Sequence, residues 1–306
     1  MRSYVLRRVL HSLLTLFGVS LVVFGILRVL PGDPAKMMLP DNASAAQVEE
    51  LRRQFGLLEP LHVQYVAFLS SIVRGDFGQS FQFRAPARSV VGERIWPTLH
   101  LALAAFSLTV LLGVPAGILA ATRHRTMFDY GSIFLAALGQ SLPNFWLGIM
   151  LILLFGVTLG WLPTSGYQGP AYLVLPAVTL AAYPMALVAR LTRSSMLEVL
   201  GREYIRTARS KGLAERTVVM LHGVKNASIP VVTILGLQIG VLLGGAVITE
   251  SVFAWPGIGK LAVDSIFQRD FPVIQVVLIL AAAVFIVINL IVDLLYTVLD
   301  PRIRYS

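Results

Sequence analysis

A chain of 306 residues that is 56% hydrophobic and only 13% charged carries about half the charge of an ordinary soluble domain, which argues against a water-soluble fold and for a membrane protein. With no cysteine it can build neither a disulfide framework nor a thiolate metal site. Its net charge of +9 is gathered in short loops and termini, not in a basic module interleaved with aromatics, so it reads as an orientation signal and not as nucleic-acid binding.

In chain order, residues 1–30 place Arg2, Arg7 and Arg8 ahead of an apolar run that reaches Leu30. The run is longer than the roughly 7–15 residues of a secretory core. It predicts an uncleaved first span with a cytoplasmic N-terminus and Arg28 snorkelling to the outer interface. Residues 31–97 hold seven basic and seven acidic side chains, and this neutral balance predicts an extracytoplasmic segment. Within it, Ser44 with Gln47 three residues on forms a capping box that opens a helix, and Gly56 stops it. The rest of the segment, including Gly75 to Gly78, reads as a short helix and turns.

Residues 98–306 predict a five-helix core. Its spans cover Thr98 to Ala121, Gly131 to Leu159, Tyr172 to Ala189, Pro230 to Thr249 and Val273 to Val298. The second of these contains Pro143 and is long enough to tilt or break. A short basic turn (Arg123, His124, Arg125) precedes it, and the tail adds Arg302 and Arg304. Trp96, Trp161, Tyr167, Tyr172 and Trp255 fall near predicted outer ends, as an aromatic belt does. The fold class is therefore an all-α membrane protein with six transmembrane helices and both termini in the cytoplasm.

Residues 190–230 interrupt the apolar pattern with eight basic and three acidic side chains. From Arg202 the pattern predicts a helix, a turn at Gly212 and a second helix that stops before Pro230. Such a basic loop between spans faces the cytoplasm. Tyr204, Ile205, Ala208 and Leu213 sit among its charges. From the residues alone, a helix entering a partner's groove and a segment lying on anionic lipid fit equally well.

Enzyme signatures are missing. There is no H-E-x-x-H or G-x-S-x-G, and His11, His62, His100, His124 and His222 are scattered. The run Pro256-Gly257-Ile258-Gly259-Lys260 echoes a phosphate loop, but Ala254 and Leu261 occupy positions where that motif needs Gly and Ser or Thr. The chain thus reads as a non-enzyme that binds no cofactor or metal itself. Polar residues inside spans are the functional candidates by default: Gln140, Asn144, Gln238, Glu250, Asn289 and Asp293. Each holds helices together, lines a solute pathway or gate, or serves a proton relay, for which no second buried acid or base forms an evident chain. Glu250 and Asp293 lie near span ends, within reach of water, and Asn289 and Asp293 share a helix face. Gly236, Gly240, Gly244 and Gly245 suit close helix contact, at a subunit seam or within the monomer.

The basic loop resembles the EAA loop of ABC importer permeases, with Ala208 four residues before Gly212 and Arg206-Thr207-Ala208 standing where Glu-Ala-Ala does in the general form. The run from Tyr204 to Arg216, followed by Val218, His222, Asn226, Ala227 and Pro230, is more similar to the dipeptide/oligopeptide/nickel branch, with Ser210 replacing an Ala. Tyr4 to Arg8, Leu30-Pro31-Gly32-Asp33-Pro34, Gly75-Asp76-Phe77-Gly78-Gln79-Ser80, Leu162-Pro163-Thr164-Ser165-Gly166, Arg190-Leu191-Thr192-Arg193-Ser194-Ser195, Phe253 to Gly259, Asn289 to Asp293 and Asp300-Pro301-Arg302 continue the likeness along the chain. The early block resembles the B-type of two permease subunits, and glutathione importer permeases are similar too.

The resemblance implies an ABC type I importer permease fold in the bacterial inner membrane. It implies a second homologous permease, two cytoplasmic ABC ATPases that use ATP and Mg, and an extracytoplasmic solute-binding protein. The implied cargo is a di- or oligopeptide, with glutathione or chelated nickel as alternatives. Tyr204, Arg206, Thr207, Ala208, Lys211, Gly212, Leu213, Glu215 and Arg216 would then dock in an ATPase groove, although Arg206 cannot reproduce an acidic contact of the general motif. An ion-coupled secondary carrier is the competing class, and the missing inverted repeat counts against it.

Overall fold

The computed structural model describes residues 2–29, 34–37, 39 and 43–299. Helices account for nearly all of them, and among the described residues the only β-pairing is an isolated bridge between Gln79 and Pro86. Among the described residues, five helices are long and apolar enough to cross a membrane, and a bent pair makes a sixth crossing if it counts as one span. The chain divides into two compact units. One holds the residues up to Trp96 with Leu261–Leu290, and the other is built on Pro97–Lys260.

In the first unit, the opening helix Arg2–Val29 ends as predicted near Arg28, whose guanidinium sits over the Phe24 ring at 5.1 Å. Tyr65 and Phe68 pack on Phe24, and Ser20 and Tyr65 share a 2.7 Å hydrogen bond. The predicted capping box is present. The Gln47 amide donates to Ser44 Oγ at 3.3 Å, and the Ser44 amide donates to Gln47 Oε1 at 2.8 Å, opening the helix Ala45–Gln54. A second helix, Leu61–Arg74, stops at Gly75, whose φ of +67° favours glycine. Asp270 is buried and accepts from the Ser80 hydroxyl and from the amides of Phe81 and Gln82, both at 3.2 Å. This carboxylate ties the 80–82 turn to the start of the last helix, Phe271–Leu299.

The second unit is organised around one 31-residue helix, Pro170–Leu200. It runs eleven residues past the predicted boundary at Ala189, so Arg190 to Leu200, expected as loop, is helical. Pro176 and Pro184 lie inside it and are themselves buried. The helix Ala87–Thr122 packs on it through glycines. A Cβ on Gly113 would lie 2.9 Å from the Met185 carbonyl oxygen, and one on Gly117 would lie 2.5 Å from that of Ala189. Only glycine allows so close an approach. By contrast, a Cβ on Gly244 would meet nothing within 4 Å. Leu101, Ala105, Ala177, Leu180, Ala181, Leu242, Ala246 and Trp255 form the core of this unit.

Of two predicted spans that contain or begin at a proline, one breaks as its length and Pro143 allowed, and the other overruns its predicted start. The one containing Pro143 is broken into Met127–Ser141 and Asn144–Thr158, bent by 107°. The residue before a proline is driven out of the helical region, and Leu142 accordingly takes ψ 128°. The predicted stop before Pro230 is wrong, because the helix Lys225–Val252 runs straight through that proline. It follows directly on a π-helical segment, Val218–Val224. A missing N–H costs one hydrogen bond, and packing of the flanking turns outweighs that local penalty.

Candidate functional site

The basic loop folds as a short helix, Glu203–Ser210, then a turn, then a single helical turn at Glu215–Thr217. Gly212 has φ +77° and so supplies the left-handed residue that the reversal requires, with its amide on the Arg209 carbonyl at 2.9 Å. One face of the short helix is closed to partners. Ile205 and Ala208 are buried and pack with Val218 against Leu200. The opposite face is open, with Tyr204, Arg206, Thr207, Lys211, Leu213, Glu215 and Arg216 all exposed. Ala208 therefore seats the loop and does not present itself outward.

Local ion pairs shape the open face. Arg206 reaches Glu203 at 3.2 Å, and Arg209 grips Glu215 in a fork, Nε to Oε2 at 3.1 Å and Nη2 to Oε1 at 2.7 Å. Hydrogen bonding to Glu215 raises the Arg209 pKa above its ordinary value. The fork ties the short helix to the turn that follows Gly212. Behind the loop, Met196 packs with Ala121 and Ala227, so the foot of the long helix, the second span and the fifth meet there.

The pathway candidates are spread over the broken pair, the fifth span and the last helix. Gln140 ends the first half of the broken pair, and its Nε2 is buried without a partner; Asn144 begins the second half. Gln238 is buried on the fifth span, also with an unpartnered Oε1. Asn289, in the other unit, donates back to the Phe285 carbonyl at 2.9 Å. Asp293 lies on the last helix, and its side chain, with the face expected to be shared with Asn289, falls outside the described residues. A pocket of about 500 Å³ opens in the first unit beside Phe24, Arg28, Gln64, Phe68 and Phe271, and no candidate residue lines it.

Glu250 contradicts its expected access to water. It is 0% exposed, and its carboxylate is wrapped by its own chain. Thr98 Oγ1 donates to Oε1 at 2.7 Å, and the Lys260 amide donates to Oε2 at 2.9 Å. Thr98 in turn accepts from the Ile258 amide at 2.8 Å. A Cβ on Gly257 would lie 2.0 Å from Glu250 Oε1, and one on Gly259 would lie 2.9 Å from Oε2. The run that echoed a phosphate loop is thus a backbone cradle for the chain's own Glu250 carboxyl group. Trp255 leaves the aromatic belt for the same reason. It is 1% exposed, donates from Nε1 to the Pro97 carbonyl at 2.9 Å, and meets Tyr167 edge-on.

One polar cluster escaped the sequence reading. Asp129 is 1% exposed, and Arg193 grips it through Nε at 2.5 Å and Nη2 at 2.9 Å. His124 Nδ1 lies 2.9 Å from Oδ2, and the Arg125 amide donates to the same oxygen at 3.0 Å. A signal existed, since Asp129 is the sole acid between Glu93 and Glu198.

Comparison with known proteins bears on the whole chain. Residues 113–305 match the family model "Binding-protein-dependent transport system inner membrane component", and residues 1–102 match the N-terminal model of such membrane components. The glutathione transport system permease protein GsiC of Escherichia coli K12 is 46% identical over 306 residues, covering 100% of both chains. The same figures hold for its counterpart in Shigella dysenteriae serotype 1. Among solved structures, the inward-facing MetNI methionine ABC transporter aligns over 70% of this chain and 97% of its own, with TM-score 0.58 and 19% identity. An amino acid ABC transporter solved with histidines aligns over 71% and 95%, with TM-score 0.53 and 18% identity. At such identity these two speak for the fold alone.

Proposed function

The chain belongs to the family of inner membrane components of binding-protein-dependent transport systems, and from that premise we propose that it carries short peptides inward as one of two paired permeases. The observation that carries the cargo class is the 46% identity, over the full length of both chains, with a permease of a glutathione transport system. Glutathione is a tripeptide, so it shares the zwitterionic, amide-bearing chemistry of di- and oligopeptides. Chelated nickel is the remaining alternative from the sequence.

A second, homologous permease completes the pathway in this reading. On the helix Lys225–Val252, Leu237, Val241, Gly244 and Ile248 recur at helical spacing and are all exposed. That apolar stripe with a small residue at its centre suits a helix partner. The open face of the 203–216 loop docks on the cytoplasmic ATPases. They use ATP and Mg, neither of which this chain holds. An extracytoplasmic binding protein delivers the peptide. Both termini are cytoplasmic. The loop converts ATPase closure into a shift between two states of the bundle, through contacts that differ between them.

The test is purification from native membranes in mild detergent, followed by reconstitution. A second permease and P-loop ATPases should copurify, and vesicles supplied with the binding protein should take up labelled glutathione or dipeptide only with ATP. A chain that purifies alone and moves solute without ATP overturns the reading.

A further inference from the structure

The Asp129–Arg193 pair stands at a junction that the proposed function leaves without a role. Arg193 lies on the last turns of the long helix Pro170–Leu200, seven residues before Leu200, where the buried face of the basic loop is seated. Asp129 lies in the first turn of Met127–Ser141, the first half of the broken pair. That half ends at the 107° bend, with Gln140 on one side of it and Asn144 on the other. A continuous chain thus leads from the loop, through Ile205 and Leu200, up about two turns of the long helix to Arg193, across to Asp129, and along one helix to the break.

Three observations set this pair apart from a surface ion pair. The carboxylate is buried, and it is held by a two-point guanidinium fork, the geometry that fixes direction as well as distance. Asp129 also accepts the amide of Arg125, which sits at φ +63°, a left-handed conformation that a non-glycine residue adopts only when its surroundings impose it. Finally, the backbones are in near-contact at this level. A Cβ on Gly117 would lie 2.6 Å from Thr192 Cβ and 3.0 Å from the Arg193 amide, so the second span cannot slide freely past the long helix there.

Resting on the loop's role in coupling, we infer that Asp129 and Arg193 are positioning residues forming the joint through which the loop's displacement reaches the broken helix pair. The loop, the foot of the long helix and Met127–Ser141 move as one body between transport states, and motion is taken up at Leu142–Pro143. Asp129 touches neither cargo nor ATPase. It decides whether the bend follows the loop.

The test uses the complete reconstituted importer with cysteine-free partner subunits. This chain contains no cysteine, so two introduced thiols are its only label sites. Spin labels at Met127→Cys and Met220→Cys, both exposed positions, report the distance between the broken pair and the segment behind the loop. In the parent that distance should be the same without nucleotide and with ATP trapped; a shift between the two states overturns the inference even if no variant of the pair can be made. In Asp129→Asn, ATP hydrolysis should persist while peptide taken up per ATP falls about tenfold, and Arg193→Lys, which keeps the charge, should recover part of it. Unchanged uptake per ATP in Asp129→Asn also overturns the inference. Failure of the ATPases to copurify would instead remove the underlying reading of the loop, so the two failures are distinguishable.

Discussion

Gly257 shows how a missing side chain can be legible as part of a motif without carrying that motif's chemistry. Glycines at 257 and 259 with Lys260 invite comparison with a phosphate loop, and the comparison is sound as backbone geometry. The amide of Lys260 does point at an acidic group, but it is the carboxyl of Glu250, ten residues earlier. No local pattern announces this, because the hydroxyl that completes the cradle belongs to Thr98, 152 residues away from Glu250. Gly257→Ala would put a methyl 2.0 Å from a carboxylate oxygen and force the acid away from its donors. Overpacking and stranded buried hydrogen-bonding groups each cost roughly 1–3 kcal/mol, so the variant should lose thermal stability by at least about 2 kcal/mol. Melting of the purified importer followed by tryptophan fluorescence measures it directly, and an unchanged melting temperature would show that the cradle is loose.

Helices were legible where apolar runs were long, and misjudged where a local rule competed with packing. The first and last spans lie where hydropathy puts them, while the helix of the second begins at Ala87, eleven residues before its predicted start at Thr98, and the capping box at Ser44 forms from residues three apart, so no distant partner is needed. The break at Pro143 was legible as a possibility, since a proline penalises the residue before it, but the 107° angle is set by what the two halves pack against. Gly148 in the second half faces Phe253 and Thr179, for example. Pro230 went the other way. It is exposed on a helix that continues through it, so the proline is a cost that the neighbouring turns carry. Pro230→Ala restores a backbone N–H without disturbing any buried contact. It should stabilise the chain by up to about 3 kcal/mol, seen as a higher unfolding temperature with uptake unchanged; a lower temperature would mean that the proline shapes the helix and is not merely tolerated.

Across the whole molecule, the proposed orientation rests on the distribution of charge, which is read from the sequence alone. The segment before the second span balances seven positive with seven negative side chains, while residues 190–230 set eight against three. Short loops rich in Lys and Arg stay on the cytoplasmic side, so the loop and its open face should be inside and the helices Ala45–Gln54 and Leu61–Arg74 outside. What the sequence could not convey is that this loop is seated on the foot of a single long helix, because Ile205 and Val218 look no more buried in the sequence than Tyr204 and Leu213. The absence of native cysteine makes the orientation directly measurable. A lone thiol at His62→Cys should react with a membrane-impermeant maleimide added to intact spheroplasts. One at Arg216→Cys should react only after the membrane is opened, and ATPase subunits bound to the loop should slow even that reaction. The reverse pattern would place the loop on the side of the binding protein, where no ATPase could push on it, and docking at Tyr204 to Arg216 would have to be abandoned.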